Sequence, residues 1–275
     1  MLSGIGNTIN QLISDPGGTI LSIVYLTVCI LFCLILHECA HAYVALKCGD
    51  PTAKWMGRLT LNPLKHLDPI GTICMVFARF GWAKPVPVNP RNFRNYRRDY
   101  ILVSLAGIVT NLVLCLISLL ISAILAKIMW NEDMVRQFAA AGEKSRLINP
   151  YYYTASIQSI ADYPVGLAVY SGQVQFLKTI TDTPALIYIQ RLFLMLAQMN
   201  LGLAVFNLIP VPPLDGYRLV NQFVFKGRLD LNPQTMMYIH IGFLIVCISG
   251  LLTGLLTTVN SALMGAFTEM ISIII

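Results

Sequence analysis

Apolar positions along this chain gather into four runs, at about residues 19–46, 100–126, 184–209 and 236–258. A helix that crosses a lipid bilayer needs about 20 predominantly apolar residues, and each run meets that length. The pattern therefore predicts an all-α polytopic membrane protein with about four spanning helices. Three prolines, Pro210, Pro212 and Pro213, follow the third run and must end its helix there.

Shorter apolar or extended segments lie between and after these runs. Residues 70–80 are too few to cross, which predicts a re-entrant or interfacial piece. Residues 57–61 and 84–89 have extended character, and the alternate prolines of the second confine it to the edge of a short β-hairpin or to a plain loop. The tail 261–275 fits either a surface-lying helix or a fifth partial span.

Composition strengthens the membrane interpretation. The 275 residues are 56% apolar and only 12% charged, with a mean hydropathy of +0.67. Soluble domains carry about 25% charged residues, so an ordinary soluble protein is excluded. The seven cysteines form no CxxC pair and lie mostly inside apolar runs, which favours packing over a disulfide framework.

Basic residues predict the orientation of the spans. Ten Lys or Arg lie between Lys47 and Arg98 against two acids, which places this loop in the cytoplasm. The run 91–98 then favours a juxtamembrane anchor to anionic lipid, with no nucleic-acid partner. No Lys or Arg precedes Lys47, so the basic start of a cleaved signal peptide is missing. The predicted order is a non-cytoplasmic N-terminal segment (1–18), a core (19–226) with a cytoplasmic loop (47–99) and an external loop (127–183), and a C-terminal span with an apolar tail (227–275).

A candidate metal site lies near the cytoplasmic end of the first span. His37-Glu38-Cys39-Ala40-His41 is an HExxH motif, whose i, i+4 spacing puts both imidazoles on one helix face where they can share a metal ion. Glu38 lies about 100° around the axis, within reach of a metal-bound water. A carboxylate at membrane depth is costly and indicates function.

A zinc site of this type needs a third protein ligand and keeps its fourth position open. Asp215 is the natural candidate, because it follows the third span, which ends at the same face. The prolines before it leave backbone polar groups without helical hydrogen bonds. At membrane depth such groups are tolerated only where they line a cavity. His66 is the rival ligand, although its loop position favours a structural or supporting role.

These motifs together resemble the site-2 protease family of intramembrane zinc metalloproteases. The similar segments are HECAH at His37–His41, AGIVTN at Ala106–Asn111, NLIPVPPLDG at Asn207–Gly216 and GRLTLNPLKHLDPIG at Gly57–Gly71. They occur in the family's order and span roughly residues 30–225. The sequence looks closest to minimal bacterial-type members, with no room for a PDZ domain and no CBS domain.

The resemblance implies His37, His41 and Asp215 as ligands of one zinc ion and Glu38 as catalytic base. It also implies Asn207 as a donor beside the scissile carbonyl. The expected partners are the lipid bilayer and a transmembrane or membrane-anchored protein substrate, cut near the cytoplasmic face of the cell membrane. The edge at 84–89 is expected to receive the unwound substrate by strand addition.

The same ligands also fit a function of a different class. A membrane metal-ion transporter using the same ligands is the alternative function, but it predicts ionisable residues spread through the spans or paired half-helices in two repeats.

The AGIVTN segment predicts a helix contact. Its residues Ala106, Gly107 and Asn111 are typical of small-residue packing with an interhelical hydrogen bond, and this interpretation is favoured over a direct catalytic role.

Overall fold

A computed structural model describes residues 13–14, 16–68, 84–148, 182–183, 185–229 and 231–274. Within these ranges the chain is mainly helical and no residue is part of a β-strand. The α-helices are α1 (Pro16–Lys47), α2 (Thr52–Trp55), α3 (Tyr96–Met129), α4 (Glu132–Ala140), α5 (Ser145–Ile148), α6 (Leu186–Asn207), α7 (Asp215–Phe223), α8 (Pro233–Ser249) and α9 (Leu251–Ile271). Short 3₁₀ turns occur at Pro63–Lys65, Pro90–Asn92 and Ser272–Ile274.

Four helices are long and apolar enough to cross a membrane: Ile23–Lys47, Tyr96–Met129, Leu186–Asn207 and Leu251–Ile271. The chain is thus a polytopic membrane protein, as its hydrophobic pattern predicted. The third spanning helix ends at Asn207, just ahead of the three prolines that were expected to end it.

The fourth span differs from its predicted bounds. A continuous helix over 236–258 was expected, but Gly250 adopts a left-handed conformation (φ 78°) and caps α8. A glycine at this position ends a helix readily, because it has no Cβ to oppose positive φ. The spanning candidate is therefore α9, and most of the ambiguous tail belongs to that helix.

The predicted re-entrant segment 70–80 lies outside the described residues. Residues 57–61 and 84–89 carry no regular secondary structure, so the described part of the expected hairpin contains no strands.

The chain divides into two compact units, whose boundaries fall within α1, α3, α6 and α9. The first unit holds residues 31–113 and 200–260, and it contains every predicted site residue. Small buried residues of its spanning helices form the centre of its apolar clusters: Ala42 with Ala53 and Val86, Ala45 with Cys48 and Val103, and Ala204 with Ile108 and Leu219. Small side chains let helix backbones approach closely, which drives helix association in lipid.

The second unit holds the described parts of residues 2–30, 114–199 and 261–275. Polar side chains anchor the short helix α5 within it. The Gln190 amide donates to the Leu147 carbonyl at 3.0 Å, and the Trp130 indole donates to the same carbonyl at 2.9 Å. The Ser122 hydroxyl donates to the Ile148 carbonyl at 2.7 Å. These bonds satisfy backbone acceptors that water cannot reach.

Candidate active site

The structure brings His37, His41 and Asp215 together as a group that could hold a metal ion. The two Nε2 atoms lie 3.0 Å apart, and Asp215 Oδ2 lies 3.4 Å from that of His37 and 3.1 Å from that of His41. Ligands at usual zinc distances from a tetrahedral centre are about 3.3 Å from one another. All three side chains are buried. The donors therefore match three corners of a four-coordinate metal site.

Gly107 of α3 allows the two imidazoles to reach this position. A Cβ atom built on Gly107 would lie 2.4 Å from His37 Cε1 and 2.5 Å from His41 Nε2. Real Cβ contacts are essentially never this short, so only glycine lets the α3 backbone pass beside the rings. The small-residue contact predicted at AGIVTN is thus a contact with the two histidines.

A second glycine, Gly216, lets Asp215 approach. After α6 ends, the chain turns through the prolines, and α7 begins at Asp215. A Cβ on Gly216 would lie 2.3 Å from the Leu208 carbonyl oxygen, so the start of α7 packs directly on the backbone that follows α6. The two neighbouring residues thus have different roles. Gly216 permits the close packing, and Asp215 provides a carboxylate that could hold a metal ion.

The surroundings of Asp215 favour its ionised form. Burial opposes ionisation, but the imidazoles of His37 and His41 outweigh it and hold the pKa of Asp215 well below its ordinary value. Its position at the first turn of α7 adds the favourable end of the helix dipole. Its other carboxylate oxygen lies 3.5 Å from the Arg218 guanidinium. The ionised form of a carboxylate is the form that binds a metal cation.

A backbone carbonyl of α3 sets the protonation of His41. His41 Nδ1 lies 2.7 Å from the Val103 carbonyl oxygen and must donate to it. In the neutral ring the Nε2 atom then carries the lone pair that a metal ion could accept, which is the usual support of a ligating histidine. Sequence reasoning missed Val103, because a main-chain carbonyl carries no side-chain signature. His37 Nδ1 is buried with no hydrogen-bond partner among the described residues.

Glu38 is held by the extended segment 84–89. The Val86 N–H donates to Glu38 Oε2 at 2.7 Å. The N–H groups of Lys84 and Asn89 donate to the His66 carbonyl and to Asp50, so three of the segment's four N–H groups are bonded within the protein. A substrate strand could pair here only through the remaining backbone groups.

The buried side chain of Arg58 holds the same segment from its carbonyl side. Its guanidinium donates to the carbonyls of Lys84 at 2.8 Å and Pro85 at 3.1 Å, and also to that of Lys65. Arg58 is 7% exposed, and its bonds to described residues all go to neutral acceptors. The donors of a guanidinium group have a fixed planar arrangement, so these bonds hold the backbone just before Val86 and thereby orient the Val86 N–H.

The other residues singled out from sequence lie outside the metal-binding group. Asn207 ends α6, is largely buried and donates one amide hydrogen to the Leu203 carbonyl at 2.9 Å, which leaves its second amide hydrogen. His66 is buried against the motif, with Nε2 2.7 Å from the Thr60 carbonyl and 4.0 Å from Cys39 Sγ. Asn111 is fully buried, and neither of its amide atoms has a partner within the described part of the chain, so the interhelical hydrogen bond predicted for this cluster does not form there.

The chain is similar to a known peptidase family and to known proteins. The model of Peptidase family M50 matches residues 25–249. A Bacillus subtilis protein named "Putative zinc metalloprotease YwhC" is 35% identical over 227 residues, which cover 82% of this chain and 81% of that protein. A Mycolicibacterium smegmatis protein named "Putative zinc metalloprotease Rip2" is 38% identical over 93 residues, or 32% of this chain and 36% of that protein.

No solved structure matches the chain. The family match covers most of the sequence and includes the residues that converge in the structure, His37, His41 and Asp215 among them. This chain therefore belongs to peptidase family M50, the site-2 protease family that its motifs indicated.

Proposed function

We propose that this protein is a zinc-dependent intramembrane endopeptidase that hydrolyses peptide bonds within or beside the transmembrane segments of other membrane proteins. The observation that carries the proposal is the convergence of the ligand atoms of His37, His41 and Asp215, with Glu38 next to His37 in the sequence. The names of the two relatives support the same metal and reaction.

The donor set suits zinc. Two neutral imidazole nitrogens and one ionised carboxylate oxygen are ligands that zinc accepts, and a catalytic site keeps its fourth position for water or substrate. We assign His37, His41 and Asp215 to one zinc ion per chain. When bound, zinc supplies Lewis acidity, which makes water a nucleophile near neutral pH and polarises a carbonyl group.

Glu38 accepts the proton of the attacking water and delivers it to the leaving amine. The hydrogen bond from Val86 orients one carboxylate oxygen, and the other remains for the proton. The hydrogen bond to the Val103 carbonyl places the proton of the neutral His41 ring on Nδ1, so that Nε2 carries the lone pair. The second amide hydrogen of Asn207 donates to the developing oxyanion, a contribution worth about 2.7–4 kcal/mol per donor in other enzymes.

The predicted topology places this chemistry near the cytoplasmic face of the cell membrane. The basic loop 47–99 stays in the cytoplasm, and the loop 127–183 and the N-terminal segment lie outside. A membrane-spanning or membrane-anchored substrate would enter from the bilayer, and regulated intramembrane proteolysis is the process that such an enzyme performs.

The test uses purified protein in liposomes with a single-span model substrate. Wild-type protein should contain one zinc per chain and cut the substrate, whereas Glu38→Gln should keep its zinc and lose cleavage. Exposed Glu269 on α9 provides a matched Glu→Gln control that should cleave normally. Cleavage by Glu38→Gln would refute the assignment of the base. Zinc transport by the wild type without any cleavage would favour the transporter alternative.

A further inference from the structure

A cavity of about 80 Å³ lies in the first unit, between the extended segment that follows residue 84 and the first turns of α3. Val86 and Val88 form one wall, Tyr100, Val103 and Ser104 form the opposite wall, and Arg218 lies at the edge. The lining presents about as much polar as apolar surface. Its valines, Pro90 and Phe93 are apolar, and the Ser104 and Arg218 side chains are polar.

The cavity adjoins the candidate active site on several sides. Three lining residues bond directly to three different residues of that site: the Val86 N–H to Glu38, the Val103 carbonyl to His41 and the Arg218 guanidinium to Asp215. The cavity is therefore lined by residues that also bond to the groups expected to hold the scissile peptide bond.

The volume limits what the cavity can hold. An engineered protein cavity of about 150 Å³ binds benzene, which has six heavy atoms. At about 80 Å³, this cavity has room for about three heavy atoms, the size of a valine or threonine side chain. A phenylalanine side chain, with seven, exceeds it.

We propose that this cavity binds the side chain of a substrate residue that flanks the scissile bond, and that it selects an aliphatic or hydroxyl-bearing side chain of valine or threonine size. This inference rests on the proposed protease function and deepens it. The lining valines favour a branched aliphatic group, the Ser104 hydroxyl is available to a threonine hydroxyl, and a residue of this size is exchanged for a larger one only at the cost of a clash.

The first experiment measures cleavage rates for substrates that carry Gly, Ala, Thr, Val, Leu or Phe on either side of the scissile bond. At one of the two positions, wild-type protein should cut Val or Thr at least 10-fold faster than Phe, since a misfit of one or two methylenes costs about 10-fold or more. Val88→Ala should raise the rate for Leu relative to Val by about 10-fold. Val88→Phe should fill the cavity and leave Gly as the best substrate.

Val109→Ala and Val109→Phe are the matched controls, because Val109 is a half-exposed valine of α3 outside the cavity. Both should keep the wild-type preference. Equal preferences in the Val88 and Val109 variants, with cleavage intact, would overturn the cavity proposal and leave the protease proposal standing. Absence of any cleavage by the zinc-loaded wild type would instead count against the protease.

A second experiment does not depend on cleavage. A substrate carrying a diazirine analogue of leucine beside the scissile bond is photolysed with protein that combines Glu38→Gln with Val88→Ala, because the loss of two carbon atoms makes room for this larger probe. The protein is used in zinc-loaded and chelator-treated form, and the adducts are mapped by mass spectrometry. Adducts on Tyr100 or Val103, lost when Val88→Phe takes the place of Val88→Ala, support the proposal. Adducts confined to residues outside the cavity overturn it.

Discussion

Replacing Gly107 with alanine should remove the metal site while leaving the helices in place. The added Cβ would lie 2.4 Å from His37 Cε1, 2.5 Å from His41 Nε2 and 2.6 Å from His37 Nε2. Carbon atoms in contact are normally about 3.5–4.0 Å apart. The two rings and the α3 backbone must therefore separate by about 1 Å.

That displacement is large for a metal site. Ligand distances are held within about 0.2 Å of their ideal values, so a shift of about 1 Å cannot be absorbed by both imidazoles while Asp215 stays in place. Loss of a residue that merely supports a ligand costs about 10–100-fold in metal affinity. Displacement of two ligands should cost at least about 100-fold, with a matching loss of cleavage.

The assay is zinc content after purification, followed by competition with a chelator of known affinity. Gly242→Ala is the control, because Gly242 is a helical glycine of α8 with no atom within 4 Å of its added Cβ. Size-exclusion chromatography in detergent and the midpoint temperature of thermal unfolding show whether each variant is folded. A folded Gly107→Ala protein that binds zinc within about threefold of the wild type would refute the close-packing argument.

Three further results are expected. Arg58→Ala should lower kcat about 10-fold at unchanged zinc content, because the carbonyls of Lys84 and Pro85 lose their donor and the Val86 N–H no longer holds Glu38; kinetics and zinc analysis measure both. Asp50→Asn should lower the free energy of unfolding at pH 7 by about 2 kcal/mol, because hydrogen bonds to a buried carboxylate are lost; thermal unfolding measures this. Cysteine introduced at exposed Lys54 should react with a membrane-impermeant reagent only from the cytoplasmic side, as modification of oriented vesicles would show.

The Asp50 effect should depend on pH. Burial raises the pKa of Asp50, but hydrogen bonds from Thr52, Asn89 and Asn92 outweigh it and lower the pKa below its ordinary 3.8. A carboxyl with a lowered folded-state pKa stabilises the fold above its ordinary pKa and loses that contribution as the pH falls below it. The difference between wild type and Asp50→Asn should shrink below about pH 3.8, and a constant difference down to pH 3 would contradict this.

The other two expectations have their own controls. Arg58→Lys should restore part of the kcat lost in Arg58→Ala, since a lysine can still donate to one carbonyl. Equal kcat in wild type and Arg58→Ala would show that the hydrogen bonds of Arg58 do not affect the position of Glu38. A cysteine at exposed Glu132, in the predicted external loop, should show the opposite accessibility to one at Lys54. Labelling of both from the same side would contradict the topology.

Local features of this chain were predictable from its sequence because they depend on neighbours along the helix or on a single residue type. The i, i+4 spacing alone places His37 and His41 on one face of α1. The prolines after Asn207 end α6 wherever the helix lies, because a proline ring and its missing N–H cannot continue it. Length and hydrophobicity identify the spans in the same way.

The partners of these features were decided by tertiary structure. Asp215 and His66 were both open as third ligand, and the approach of α7 at Gly216 brings Asp215 to the histidines while His66 packs on Cys39 and Thr60. Val103 and Val86 act through main-chain atoms, which every residue has, so no sequence pattern marks them. Gly250 could continue or end a helix, and its left-handed conformation was settled only by folding. Sequence determined which groups are available for chemistry, and the close approach of backbones, allowed by Gly107 and Gly216, determined which of them meet.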